Sequence, residues 1–243
     1  MTIFPKISER NLLPVNNEEI FEMTLQVQTQ TAAYEELYTT QTEMSGESIS
    51  INDEEQQYRA SAYSLMAALL RASPNDALLN RLSGLTQEAQ GEGDSLKVSM
   101  SMLGLSAKIL TATAIEDEFH DLFIGLGKGE VVPYGSWYLT GFLMEKPLSD
   151  LRDDLKKLGF ERSDSVTEPE DHAAALCEVI SLMISDGSEL STQKDFFLTH
   201  MACWMDKFFS DLANAESAIF YKALGRFGSA FIEFENEYFS MQT

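Results

Sequence analysis

The chain has 243 residues, with 39 Asp and Glu against 17 Lys and Arg, and a formal net charge of −22. Acids outnumber bases more than two to one, which excludes a phosphate-backbone binder and disfavours an anionic membrane surface, since both need clustered Lys and Arg. With 44% hydrophobic and 10% aromatic residues, the chain can bury a sizeable core and reads as one large domain or two small ones.

Residues 1–50 are rich in Gln, Thr, Asn and Glu, with one weak helical stripe through Ile20, Met23, Val27, Tyr34 and Leu37. They read as an N-terminal extension, an appended helix or a partly ordered segment, followed by a linker near Met44 to Asn52. The first ten residues lack the basic start and apolar run of a secretory signal. Nowhere do about 18 apolar residues run together, the length a membrane-spanning helix needs. The simplest compartment is the cytoplasm.

From residue 51 onward the pattern is helical. Tyr58, Tyr63, Leu65, Met66, Leu69 and Leu70 predict a helix that ends before Ser73-Pro74, and a shorter one runs from about Asp76 to Leu85. The stretch Gln87–Ala107 reads as an insertion without an assigned place. Ile115, Phe119, Leu122 and Phe123 line one helix face that stops at Gly125. Tyr138, Phe142 and Leu143 open a further apolar segment, and Leu148 to Leu158 is a charged amphipathic helix. Residues 161–169 form a polar connection that reads as a hinge between helical parts at about 51–160 and 168–243.

The clearest helix follows Pro169, where Leu176, Val179, Ile180, Met183 and Ile184 share one face. Thr167 and Glu170 fit a capping box at its start, and Asp186-Gly187 stops it. Phe197, Met201, Trp204, Phe208 and Leu212 keep helical spacing near the C-terminus. Ala223, Leu224, Phe227, Ala230, Phe231 and Phe234 predict the last. No strand and no repeat stands out, so the fold class is all-α.

Chemistry-bearing motifs are sparse. Gly125, Gly127 and Gly129 follow a helix rather than a strand and lack the spacing of a phosphate loop. His120, His172 and His200 include no close pair of the kind zinc needs. Cys177 and Cys203 are too few for a disulfide framework and read as buried, inert thiols. No nucleophile elbow is present, and no cofactor is called for. Two segments are more distinctive. One is Glu116 to Gly125, followed by Val132-Pro133-Tyr134-Gly135-Ser136-Trp137-Tyr138. The other is Glu168-Pro169-Glu170-Asp171-His172, opening a helix that carries Glu178.

Together these segments resemble the TorD/DmsD family of cytoplasmic chaperones for molybdenum-containing oxidoreductases. The resemblance covers about residues 55 to 240. It rests on Leu122-Phe123 with Gly125, Pro133 to Tyr138, Arg152 and Gly159, Glu168 to His172, His200 with Trp204, and Phe220-Tyr221. It implies an all-α globule of two helical parts joined by a hinge, and a non-enzymatic role. That role is to bind the twin-arginine leader and the apo form of a redox subunit, delaying export until cofactor insertion. The implied protein is a monomer or a homodimer, without stable membrane association or nucleic acid. The guanine-nucleotide binding associated with the family is not carried over, since no phosphate loop is visible. The stretch from Pro133 to Leu148 looks more like members with formate dehydrogenase-type clients. A helical interaction module without leader recognition is the alternative.

A leader with adjacent guanidiniums and an apolar stretch needs carboxylates beside an aromatic-lined groove. Glu168, Glu170 and Asp171 offer the charge, with His172 beside them, and Tyr134, Trp137 and Tyr138 offer the wall. Pro133, Ser136, Pro169, Leu122 and Phe123 belong to the hinge and its structural motif. Asp171 and His172 either touch the leader or fix the hinge by bonding to backbone.

Overall fold

A computed structural model describes residues 50–85, 95–125, 129–162 and 166–241. Residues 1–49, with the whole predicted N-terminal stripe, lie outside the described residues, as do Gly127 and the span 86–94. Ten α-helices and no strand occur among the described residues: α1 (Ser50–Arg71), α2 (Asp76–Leu82), α3 (Ser95–Ile109), α4 (Ala112–Phe119), α5 (Gly135–Thr140), α6 (Lys146–Leu158), α7 (Ala173–Ser185), α8 (Leu190–His200), α9 (Met205–Asn214) and α10 (Phe220–Met241). The all-α expectation is met. No single helix among these is long and apolar enough to cross a membrane.

Local chemistry sets several of the ends. The Asn75 carboxamide accepts from the Leu78 N–H at 2.9 Å and starts α2, and Thr111 does the same for α4 through the Ala114 N–H. α6 ends on Gly159 at φ +83°, a left-handed conformation that glycine adopts without strain. The Phe160 N–H then reaches back to the Leu155 carbonyl at 2.9 Å. The acidic-aromatic face of α4 continues through a five-residue π-helical turn, His120–Ile124, to Gly125.

Packing joins the early and late parts of the chain. α1 lies along α7, α9 along α10, and α10 also meets α3 and α4. Between α1 and α7 the Ser64 and Ser181 hydroxyls bond at 2.8 Å, and Ser181 also donates to the Ala60 carbonyl. α10 sits close to α9 because of two glycines. A Cβ at Gly228 would fall 2.2 Å from the Phe209 ring, and one at Gly225 would fall 2.5 Å from the Ala213 nitrogen. Buried side chains from Ala60 to Phe239 form one cluster.

Five expectations need correction. The helical spacing through Phe197 and Leu212 is broken: residues 201–204 turn between α8 and α9, and the Trp204 indole N–H caps the His200 carbonyl at 2.8 Å. α7 starts at Ala173 with His172 as its cap, so the Thr167–Glu170 capping box does not form. Phe142 and Leu143 of the predicted apolar segment sit in a loop and are largely exposed. Cys203 is exposed, whereas Cys177 is buried as expected. The later part of the supposed insertion is α3, whose Leu103 and Ala107 enter the core.

Candidate functional site

The two singled-out motifs meet. Pro133-Tyr134-Gly135 runs antiparallel to Asp171-His172-Ala173, with Gly135 N–H donating to the Asp171 carbonyl and Ala173 N–H to the Pro133 carbonyl, both at 2.9 Å. This bridge places the N-terminus of α5 beside that of α7. Gly135 is the residue that fits there, since a Cβ would come within 3.1 Å of the Trp204 indole.

Asp171 and His172 of the second motif both serve as caps. The Asp171 Oδ2 accepts the Ser136 N–H at 2.8 Å, capping α5 from outside its own segment. Its Oδ1 is buried and finds no partner among the described residues. The His172 Nδ1 accepts the Ala174 N–H at 3.0 Å and caps α7, which assigns the ring proton to Nε2. Burial holds the imidazole down to about 4, with Arg71 acting in the same direction and Glu168 opposing it. The Tyr134 ring meets the imidazole edge-on at 5.0 Å.

Beside this bridge opens a cleft of about 380 Å³. Its apolar walls come from Phe119, Phe123, Leu155, Phe160 and Val179, and Glu161, Glu168, Glu170 and Glu178 contribute carboxylates. Glu170 is held by Arg152 at 2.8 Å and faces Arg162 at 3.4 Å. Burial raises its pKa, but the bonds from Arg152 and its own backbone bring the net direction below the usual range. Among the described residues Glu161 and Glu168 have no cationic partner, and both are exposed.

The expected site residues divide into three groups. Tyr134, Pro133, Phe123, Glu168, Pro169, Glu170 and His172 border the cleft. Asp171 and Ser136 are buried at the bridge, and Leu122 belongs to the core. Trp137 and Tyr138 do not border it. Tyr138 instead stacks on Trp204 at 5.5 Å and donates to Asp211 at 3.0 Å. Several cleft residues were not site candidates in the sequence, and two of them, Arg71 and Glu178, form an ion pair. Arg71 ends α1, and Glu178 is a buried acid within the apolar run of α7. That lone acid beside Val179 and Ile180 is the signal that marks it.

Among the described residues no group of three His, Cys, Asp or Glu side chains is placed to hold a metal ion. The sequence model of the family described as nitrate reductase delta subunit matches residues 87–210, the interval that contains both halves of the bridge. The chain belongs to the nitrate reductase delta subunit family, which includes the TorD chaperones. Among curated proteins, the chaperone protein TorD of Vibrio parahaemolyticus is 24% identical over 165 residues, covering 61% of this chain and 77% of that protein. The TorD chaperone of Vibrio cholerae El Tor Inaba is 27% identical over 163 residues, covering 63% and 74%. A solved structure described as a redox enzyme maturation protein, from Archaeoglobus fulgidus, aligns with 80% of this chain and 99% of its own at 18% identity and a TM-score of 0.48. Within the nitrate reductase delta subunit family, this chain's matched interval includes Glu178 but not Arg71.

Proposed function

We propose that this TorD-family chain is a maturation chaperone that binds the apo form of a molybdenum-containing oxidoreductase subunit and its twin-arginine leader, delaying export until cofactor is inserted. The observation that carries this is the cleft: an apolar, aromatic-walled groove with carboxylates at its edge, built on the bridge between the two motifs. Guanidiniums pair with carboxylates through charge-assisted bonds, while an apolar segment lies in the groove. Glu168 and Glu161 supply the uncommitted charge, and Tyr134 and Phe123 supply the wall. Asp171 and His172 act by holding the cleft's geometry. The client is of the formate dehydrogenase type, a reading supported by the sequence from Pro133 to Leu148. The role is non-enzymatic, in keeping with relatives named as chaperones, and cytoplasmic.

Titration calorimetry with a twin-arginine leader peptide tests the reading, together with co-purification from anaerobically grown cells. Tight binding that weakens in Glu168→Gln, and recovery of a molybdenum-enzyme catalytic subunit, are expected. The second reading, an interaction module without leader recognition, is favoured by the fact that Asp171 and His172 both spend a side-chain acceptor on backbone N–H groups. It prevails if no twin-arginine peptide binds.

A further inference from the structure

One ion pair of the cleft has no part in the reading above. Arg71 closes α1, and its Nη2 donates to Oε2 of Glu178, which comes from the middle of α7. The two partners are unequally buried: the Glu178 side chain is 3% exposed and that of Arg71 37%. Both line the cleft.

A buried carboxylate needs a cation or several hydrogen bonds, because taking the charge out of water is costly. Here the cation comes from a long, flexible side chain that is partly exposed, and the charged head of such a chain favours water. Such a head can leave for water at small cost, provided another guanidinium takes its place. The planar fork of a guanidinium matches a carboxylate, whereas an ammonium meets it only as a point charge. Glu170 differs, being held from outside by Arg152 and Arg162.

We propose that Glu178 is a guanidinium-binding subsite at the inner wall of the cleft, occupied in the free protein by the chain's own Arg71. An arginine of the bound client segment takes over that position, and Arg71 swings out. The identity of that ligand rests on the chaperone reading. The existence of the subsite does not.

The test uses the full chain with Arg71→Ala, followed by thermal unfolding in millimolar arginine amide or lysine amide. Arginine amide is expected to raise the midpoint of Arg71→Ala by several degrees, lysine amide by clearly less, and neither to move wild type. The double variant Arg71→Ala with Glu178→Gln is expected to respond to neither. If Arg71→Ala does not fold, Arg71→Lys, which keeps the charge without the fork, carries the same comparison. An equal response to both amides, or none, overturns the subsite. In parallel, a twin-arginine peptide is expected to bind Arg71→Lys more tightly than wild type. It is expected to bind Glu178→Gln about tenfold more weakly. Unchanged affinities in both variants overturn the exchange. If wild type binds no leader while arginine amide still rescues Arg71→Ala, the chaperone reading fails and the subsite stands.

Discussion

Arg59 and Arg71 leave the same helix, and each meets a buried glutamate, yet the two pairs are built for different ends. Arg59 is completely enclosed. Its Nε and Nη2 bind the two oxygens of Glu235 at 2.6 and 2.8 Å. Nη1 binds Gln193 and Gln56, and the guanidinium face lies 4.4 Å from the centre of the Tyr238 ring. Glu235 also accepts from the Tyr63 hydroxyl. Neither side chain is exposed at all. Each nitrogen of the guanidinium and each oxygen of the carboxylate has at least one partner, and the network ties α1 to α8 and α10. Among the described residues Arg71 pairs with Glu178 alone, and its side chain is partly open to solvent. A saturated pair locks elements together, while a pair open on one side can exchange. That is the physical difference between a strut and a binding position.

Breaking the strut should have the largest effect. Removing one member of a fully buried pair leaves the other charged and unpaired, a loss of about 3–5 kcal/mol. Glu235→Gln should therefore lower the urea midpoint severely or prevent folding. Arg71→Ala should cost less than half as much in the same titration, since water reaches the vacated position. Equal losses would erase the distinction drawn between the two pairs.

Glu118 lies between these extremes. It is buried and accepts three backbone N–H groups at the start of α10, from Ile219, Phe220 and Tyr221, at 2.7 to 3.0 Å. Glu118→Gln keeps the shape and loses the charge that the helix N-terminus favours. The expected loss is about 2 kcal/mol in chemical denaturation, with a much smaller effect on leader affinity, because Glu118 neighbours the cleft wall at Phe119 without lining the cleft itself.

How much of this was readable beforehand follows from the kind of signal each feature leaves. Helices with a regular apolar stripe, such as α7 and α10, show in the spacing of Leu176, Val179 and Ile180 or of Phe227 and Phe231. The break at residues 201–204 does not, because Phe197, Met201 and Trp204 keep helical spacing through a turn made by tertiary contacts. The motifs of the bridge were visible as motifs. Their pairing was not, since Gly135 and Asp171 are 36 positions apart (171 − 135) and meet through bonds that no local pattern announces. The networks of Arg59 and Glu118 were missed for a related reason. In so acidic a chain, one more Glu on a helix carries no information until its partner 100 or more residues away is known.

His172 offers a pH-dependent test of the cap against the surrounding charges. Its pKa in the folded chain, about 4, lies below the unfolded value of about 6.5. The folded state therefore binds fewer protons, and its stability contribution is complete above pH 6.5 and is lost as pH falls from 6.5 towards 4. The urea midpoint should decline across that window. His172→Asn, which can accept the same N–H without titrating, should flatten the decline while keeping α7 capped.

The smallest effect is expected at the cleft's outer pair. Arg152 is half exposed and Glu170 partly so, and exposed ion pairs contribute at most about 1 kcal/mol after screening and side-chain entropy. Arg152→Gln should thus leave the urea midpoint nearly unchanged. It should also release Glu170 from its strongest partner and add a carboxylate to the edge of the groove, raising affinity for a twin-arginine peptide in calorimetry. A stable variant with weakened peptide binding would show that Arg152 serves the site by orienting Glu170 rather than by occupying it. The outer pair would then belong with the strut at Arg59, and Arg71 would remain the exchangeable one.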